Sequence, residues 1–390
     1  MNKNKILTWF QKNTMIIILV LVVGFFSLRT DGKILMPQNI TNIISQNAYV
    51  FVLATGMLLC ILTGGNIDLS VGSIVCFVGA LGAVFMSKGM NMWLAVGLML
   101  LIGLAIGAWQ AFWIAIVRVP PFIVTLAGML IFRGLSNVIL DGKTLSVTNQ
   151  AFVRIFGGGA ECYLPDVQVG SGFYLFAIII GALATLVYVT LNIRNRVVRK
   201  SKGYTVENLF PFIAKMILIV AAIVFFTLKL AQYKGIPTAL LWVAVIIGIY
   251  SYITSSATIG RHLYAVGGNE KATALSGINT DKVYFFAYAN MGLLSALAGM
   301  LTIARMTSAQ PTYGQNYEMD AIGSCFIGGA SAYGGIGTVP GVIIGAVLMG
   351  VINIGMSIMG VDANYQKVVK GAVLLAAVIF DVVSKRNKSE

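Results

Sequence analysis

Apolar runs about 20 residues long recur from one end of this chain to the other, and they restrict it to very few folds. Runs such as Trp93–Val117, Phe122–Leu140 and Val283–Ile303 are long enough to cross a bilayer core of roughly 30 Å as α-helices. Hydrophobic residues make up 58% of the chain and charged residues only 10%, whereas soluble domains carry roughly 25% charged residues. The pattern predicts an all-α, polytopic transmembrane bundle of about ten spans that forms a single membrane domain over residues 1–390.

The charge distribution predicts which ends and loops lie in the cytoplasm. The net charge is +14, but no basic patch is interleaved with aromatic residues, so nucleic acid is not an expected partner. An excess of Lys and Arg marks loops that stay inside, and the loop Arg194–Lys202 is the most basic part of the chain. We therefore predict that this loop, the N-terminal residues 1–13 and the tail 384–390 are cytoplasmic, with membrane lipids around the spans.

Two glycine-rich stretches interrupt the apolar runs. The first glycine break, residues 63–73, reads TGGNIDLSVGS, and the second, residues 328–338, reads GGASAYGGIGT. Irregular backbone at membrane depth is tolerated only inside protein or beside water, so each break either lines a pore or ends a helix at a membrane surface. Asp68 and Ser70 are good N-cap residues for the helix that follows the first break.

The resemblance of the two breaks to each other predicts an internal repeat, with a transport path at the repeat interface. The region 319–357 is then either spanning or re-entrant. Arg133 lies inside the run Phe122–Leu140, where it either pairs or snorkels to the outer interface, or faces the pore. The residues that we predict along the path are polar and lie in the breaks or in this run: Asn66, Asp68, Ser70, Thr125, Arg133, Ser331, Tyr333 and Thr338.

A polar stretch between two long apolar runs concentrates charge in a chain that is otherwise poor in it. It reads GRHLYAVGGNEKATALSGINTD from Gly260 to Asp281, and its small residues Ala272–Gly277 can form a short helix. We interpret residues 258–282, named the coupling segment here, as a cytoplasmic surface on which a soluble, energy-supplying partner docks. The contact residues that we predict are Gly260, Arg261, Gly267, Gly268, Asn269, Glu270, Lys271, Gly277 and Asp281.

The sequence lacks the motifs of an enzyme or of a metal site. The only histidine is His262, and the four cysteines form neither a CxxC motif nor a Cys/His cluster. Gly142-Lys143-Thr144 resembles the end of a phosphate-binding loop, but Asn137 stands where that motif requires glycine. We therefore expect no catalytic residue, no metal and no bound cofactor in this chain, and we expect its energy to come from outside.

Several segments together are similar to the permease subunits of bacterial monosaccharide ABC importers, and most similar to the xylose and multiple-monosaccharide group. They are GGNIDLSVGS (64–73), VPPFIVTLAGMLIFRG (119–134), GRHLYAVGGNEKATALSGINTDK (260–282), IGGASAYGGIGTVPGVIIGA (327–346), TDGKILMPQNITNII (30–44), QYKGIPT (232–238) and GMSIMGVDANYQKVVKGAVLL (355–375). The family's break reads Gly-Gly-Ile-Asp, whereas Asn66 is inserted here before Ile67.

The resemblance implies the composition of the complete transporter. Such permeases pair as two membrane subunits, bind ATPase subunits that use ATP-Mg at the coupling segment, and receive sugar from an extracytoplasmic binding protein. By the same resemblance, the predicted outer loops 141–172 and 305–319 meet that binding protein, and the chain lies in the bacterial inner membrane. Replacement of Gly268 or Glu270 is expected to uncouple ATP turnover from uptake.

Other functions remain open at this point. The cargo could be another pentose or hexose, a nucleoside or a furanose-type signal. The chain could also be an ion-coupled secondary sugar transporter, although only Asp68 and Asp320 place carboxylates near the spans.

Overall fold

Helices that bury their apolar faces against one another form most of the computed structural model, which describes residues 3–157, 162–169, 172–206 and 208–389. The side chains of residues 3–14, 380 and 383–389 lie outside this description. The prediction for the basic ends 1–13 and 384–390 therefore concerns side chains that the structure does not describe. The helices in the described ranges are α1 (Lys3–Arg29), α2 (Pro37–Gln46), α3 (Ala48–Leu62), α4 (Val71–Ser87), α5 (Met92–Ala111), α6 (Pro121–Leu140), α7 (Gln150–Phe156), α8 (Leu175–Ser201), α9 (Leu209–Ala231), α10 (Thr238–Ser255), α11 (Thr258–Gly268), α12 (Glu270–Leu275), α13 (Thr280–Met306), α14 (Tyr317–Ile327), α15 (Val339–Ile358) and α16 (Ala363–Ser389).

The number of spans is smaller than the sequence predicts. In the described residues, 7 helices are long and apolar enough to cross a membrane, or up to 8 if the bent pair α2 and α3 counts as one span. The difference arises because α4 and the described part of α1, Met15–Arg29, are shorter apolar helices. Helix α14 has 11 residues and is about 16 Å long, so it cannot cross the hydrocarbon core alone. The all-α membrane architecture is confirmed, and the number of candidate spans in the described residues is below the predicted ten.

Helix α13 forms the centre of the larger compact unit, residues 1–34, 43–162 and 238–390. It has 27 residues, which corresponds to about 40 Å, and most of its apolar length is buried. Glycines allow α5 to approach it closely: a Cβ added at Gly292 would lie less than 3.0 Å from backbone atoms of Gly103 and Gly107. The spacing Gly103-x-x-x-Gly107 therefore acts as a helix-packing face, as its sequence indicates.

A short antiparallel pairing joins the two predicted outer loops at one end of α13. Strand β1 (Leu145–Ser146) pairs antiparallel with a second short strand, Ser308–Ala309. Leu145 lies opposite Ala309, and Ser146 lies opposite Ser308. Val147 N also donates to Thr307 O at 2.9 Å. The 305–319 connection is therefore held in place by hydrogen bonds to the loop that follows α6.

The smaller unit comprises residues 35–42 and 163–237 and contains the helical hairpin of α8 and α9. Two short strands of this unit, Gln168–Val169 and Phe173–Tyr174, pair antiparallel just before α8. The carboxylate of Asp166 accepts hydrogen bonds from Phe176 N at 2.7 Å and Ala177 N at 3.1 Å, so it caps the first turn of α8.

Substitution of Gly103 by alanine should destabilise the bundle by about 1–3 kcal/mol, because a Cβ there would lie too close to Ala296 Cβ and Gly292 O. Gly97 lies on the same helix with no atom within 4 Å of an added Cβ, so Gly97→Ala is the matched control. Thermal melting of the purified protein in detergent should show a loss for Gly103→Ala and no loss for Gly97→Ala. Equal melting temperatures in the two variants would contradict the packing role.

Candidate functional site

The coupling segment folds as two short helices in front of α13. Helix α11 ends at Gly268, and α12 covers Glu270–Leu275, so the short helix predicted over Ala272–Gly277 is present but begins two residues earlier. Asn269 stands between the helices, and its Oδ1 accepts from Ala272 N at 3.0 Å, which caps α12. Gly277 follows α12 with φ of +84°, a left-handed conformation that favours glycine.

Gly267 brings the coupling segment into backbone contact with the end of α3, directly before the first break, and with the second break. A Cβ added at Gly267 would lie less than 3.0 Å from Leu62 O, at the end of α3, and from Gly335 N, in the second break. Gly335 N in turn donates to Leu62 O at 3.1 Å. Leu62, Gly267 and Gly335 are distant in the sequence but meet at a point where position 267 has room for glycine and for no larger residue.

The two breaks also pack directly against each other. An added Cβ at Gly65 would overlap Ala332 O, and one at Gly334 would overlap the backbone of Gly64. Gly65 and Gly334 both have positive φ, +77° and +83°, so glycine is favoured at each by conformation as well as by space. We call this meeting point of the coupling segment and the two breaks the glycine junction.

Two tyrosine hydroxyls add polar contacts to the glycine junction. Tyr264 Oη, on α11, donates to Gly337 O of the second break at 2.7 Å. Tyr284 Oη, on α13, lies 3.0 Å from Thr63 O of the first break and 3.1 Å from Glu270 Oε2, so its single proton is shared between these acceptors. Each break is thereby hydrogen-bonded to the coupling segment or to the helix that follows it.

Glu270 belongs to a charged cluster beside the junction. Arg118 Nη1 donates to Glu270 Oε1 at 2.6 Å, and the other guanidinium nitrogen, Nη2, contacts Asp281 Oδ1. Burial raises the pKa of Glu270, but hydrogen bonds from Arg118 and Tyr284 outweigh it and hold that pKa below its usual 4.5. Glu270 is therefore an ionised acceptor at neutral pH that ties α12 to neighbouring elements.

The opposite side of the coupling segment is exposed and carries an apolar residue. Leu275, the last residue of α12, is 91% exposed. Gly268 and Lys271 are also exposed, and Gly268 has no atom within 4 Å of an added Cβ. Arg261 donates hydrogen bonds to Ser256 O and Thr258 Oγ1, both at 3.1 Å, so it binds residues just before and at the start of α11. The remaining predicted contact residue, Gly260, packs against the backbone of α10.

Asp68 and Ser70 form a buried polar network, and this corrects the capping role predicted for them. Ser70 is the N-cap residue of α4, but its hydroxyl makes no capping bond. That hydroxyl instead donates to Asp68 Oδ1 at 2.6 Å and accepts from Gln110 Nε2 at 2.7 Å. The Asp68 carboxylate accepts from Ser70 N at 2.8 Å, one residue before the helix amides it was predicted to bind.

The other predicted path residues lie in different surroundings. Arg133 Nη1 donates to Pro311 O at 3.1 Å and Tyr313 O at 2.6 Å, so it pairs within the bundle. Thr338 Oγ1 caps α15 by accepting from Gly341 N. Asn66, Thr125, Ser331 and Tyr333 range from fully buried to 65% exposed, and a common path through all eight residues stays a prediction.

In the residues that the structure describes, no group of three or more His, Cys, Asp and Glu side chains could hold a metal ion. The coupling segment contacts the second break through Gly267 and Tyr264, and Tyr284 of α13 connects Glu270 to Thr63 of the first break.

Residues 39–164 and 169–378 match the family model described as branched-chain amino acid transport system / permease component. The chain belongs to this family. It is 36% identical to the xylose transport system permease protein XylH of Escherichia coli K12 over 97% of this chain and 93% of the relative. It is also 36% identical to XylH of Haemophilus influenzae, covering 97% of both chains, and 32% identical to the ribose import permease protein RbsC of Escherichia coli K12, covering 96% and 94%. No solved structure matches.

These similarities confirm the resemblance to monosaccharide ABC permeases that the motifs indicate. The chain is a multi-pass membrane protein and a transport subunit. The family model begins before the first break and ends within α16, so it includes the whole glycine junction.

Sequence reasoning missed Arg118, Tyr264, Tyr284 and Leu275. Arg118 precedes Pro120-Pro121 at the end of an apolar run, a position that is typical of the charged boundary of a membrane span. The tyrosines resemble ordinary helix residues, because nothing in their spacing shows that their hydroxyls reach the breaks. Leu275 carries a signal that could have been used, since it is the one large apolar side chain in Glu270–Gly277.

Gly267→Ala should destabilise the protein by about 1–3 kcal/mol, because its Cβ would push α11 away from Leu62 and Gly335. Gly268→Ala, one residue further along, is the matched control because its Cβ would point into open space. Thermal melting and hydrogen exchange of the amides in both breaks should report a change for Gly267→Ala alone. Identical protection of Gly335 in both variants would refute the contact.

The stabilising effect of Glu270 should depend on pH in a defined direction. Its folded-state pKa is lowered, so its contribution is present above the unfolded pKa of 4.5 and is lost as pH falls through the folded value. Glu270→Gln should therefore melt below the wild type near neutral pH, and the difference should shrink as the pH falls below 4.5 and through the lowered folded-state pKa. A melting difference that stays constant over this range would contradict the ionised role.

Proposed function

We propose that this chain is the transmembrane permease subunit of an ATP-binding cassette importer that moves a monosaccharide into the cytoplasm. The proposed cargo is xylose or a related pentose or hexose. The support is the near full-length similarity to permeases named for xylose and ribose. The family description refers to amino acids, whereas the individual relatives are named for sugars and support a sugar as the cargo.

The observation that carries the proposal is that Gly267 holds the coupling segment against the end of α3, which leads into the first break, and against the second break. In an importer, a partner that moves this segment would move the ends of α3 and of the second break together. Such coordination suits alternating access, in which the inner and outer gates must not open at the same time. The absence of an ATP-binding motif in the sequence agrees with energy supplied by a partner.

The proposed complete transporter contains two copies of this chain, cytoplasmic ATP-binding subunits and an extracytoplasmic sugar-binding protein. It lies in the lipids of the bacterial inner membrane, with both ends of the chain in the cytoplasm. Leu275 and Lys271 on the exposed side of the coupling segment would contact the ATP-binding subunit, which hydrolyses ATP-Mg. The loops at residues 141–172 and the 305–319 connection would receive the sugar-loaded binding protein.

In this mechanism ATP binding shifts an equilibrium between inward-facing and outward-facing states. The ATP-binding subunits must have a higher affinity for one state, because a ligand shifts an equilibrium only by its differential affinity. Their closure would displace the coupling segment, the junction would carry this displacement to both breaks, and the outer gate would open beneath the binding protein. Polar residues such as Asp68 and Ser70 would then offer the sugar a weak path rather than a tight site.

The test is reconstitution of the chain with its ATP-binding subunit and binding protein in lipid nanodiscs. ATP turnover should rise when xylose and the binding protein are both present, and not with either alone. Stimulation by ribose or a nucleoside instead of xylose would keep the class and change the cargo. Uptake that survives ATP depletion but stops with a proton uncoupler would favour an ion-coupled secondary transporter.

Leu275→Ser should weaken binding of the ATP-binding subunit by about 10- to 150-fold, because burying a leucine side chain contributes about 1.5–3 kcal/mol and each 1.4 kcal/mol is a factor of about ten. Val167→Ser is the matched control, since Val167 is 69% exposed and lies far from the coupling segment in the sequence. The dissociation constant can be measured by titration of labelled ATP-binding subunit onto nanodiscs. Wild-type affinity in Leu275→Ser would exclude this residue from the interface.

A further inference from the structure

Two arginines, one just before helix α6 and one in its second half, bind other parts of the protein. Arg118 lies three residues before the start of α6 and binds the coupling segment, whereas Arg133 lies within the helix and binds the 305–319 connection. From Pro121 to Arg133 the helix rises about 18 Å. A single rigid element therefore reaches from one functional surface toward the other.

The linkage at the coupling segment uses most of the guanidinium of Arg118. Besides its contacts with Glu270 and Asp281, Arg118 Nη2 donates to Thr280 Oγ1 at 3.1 Å. Its guanidinium also lies 5.6 Å from the ring centroid of Tyr284, in cation–π range. Arg118 thus binds α12 and the first turns of α13 at once, a geometry that the fork of donors in arginine permits.

The backbone around Arg118 is unusual in ways often found at functional positions. Helix α5 continues into a π-helical turn, Phe112–Ile116, and such turns occur frequently at functional sites. Arg118 then adopts φ of +64°, which is uncommon for a residue with a side chain. Pro120 and Pro121 follow, and their fixed φ angles stiffen the connection into α6, so that displacement of Arg118 is passed to the helix.

The linkage at the other end holds the 305–319 connection by its backbone. Arg133 Nη1 donates to the carbonyl oxygens of Pro311 and Tyr313. Between the two arginines, α6 also touches the end of the first break, because an added Cβ at Gly128 would meet Gln110 Nε2 and Ser70 Cβ. Helix α6 therefore contacts the first break and the 305–319 connection, and Arg118, three residues before it, contacts the coupling segment.

We propose that α6 transmits movement between the coupling segment and the 305–319 connection, with Arg118 and Arg133 as positioning residues at the two linkages. The inference rests on the proposed function, since it assigns to one helix the communication between the ATP-binding subunit and the binding protein. The junction is a separate route: it links the coupling segment to the breaks, and the first break meets the 305–319 connection where Gly72 packs against Gly314.

The test compares how strongly the loaded binding protein stimulates ATP turnover in reconstituted variants. The measured quantity is the ratio of turnover with xylose-loaded binding protein to turnover without it, taken for each variant separately. Arg118→Gln and Arg133→Gln should each lower this ratio by about tenfold, within the range of typical coupling effects. The double variant should lower it no further than the stronger single variant, because both substitutions interrupt one linkage.

Arg194→Gln is the matched control, since Arg194 is an exposed arginine on α8, and its ratio should equal the wild-type value. Thermal melting separates a lost linkage from a lost fold. If Arg118→Gln does not assemble, Asp281→Asn removes part of the same linkage from the other side and should lower the ratio in the same way.

A stimulated wild type with unchanged ratios in the arginine variants would overturn this inference and leave the proposed function standing. Effects that multiply in the double variant would also overturn it, because the arginines would then act independently. A wild-type complex that the loaded binding protein does not stimulate would overturn the proposed function, and this inference with it.

Discussion

The structure depends on contacts between backbones that have no side chain between them. At the glycine junction, Gly267 lies against Leu62 and Gly335, and Gly65 lies against Ala332. Peptide groups at this distance can hydrogen-bond directly, as Gly335 N does to Leu62 O. Such bonds are strong when water is excluded, and they satisfy backbone groups that would otherwise be unpaired within the membrane. The irregular stretches persist in the bundle because they satisfy one another.

The same principle holds α13 against α5, where Gly103, Gly107 and Gly292 remove the separation that side chains would impose. The coupling segment ends in the first turn of α13, so the packing of α13 in the core holds this end of the segment in place. Tyr284, one turn into α13, then reaches both Glu270 and the first break. Movement of the coupling segment therefore acts on elements whose positions are already defined by close packing.

Much of this could be predicted from the sequence, because hydrophobic runs and glycine clusters are local signals. The runs predicted the all-α membrane fold, and the small residues within Gly260–Asp281 predicted the short helix that is α12. The meeting of Gly65, Gly267 and Gly334 could not be predicted, since it depends on how helices distant in the sequence pack. The roles of Asp68 and Ser70 were wrong for a similar reason: the Ser70 hydroxyl found Gln110 on another helix, which no local capping rule includes.

The coupling segment has two sides under different constraints. Toward the junction, Gly267 tolerates no side chain, so this surface can hardly vary without loss of the fold. On the other side, Lys271 and Leu275 are exposed and fix nothing within the chain. Substitutions on the outward side would therefore leave the inward fit intact, so the two sides of the segment can change independently of each other.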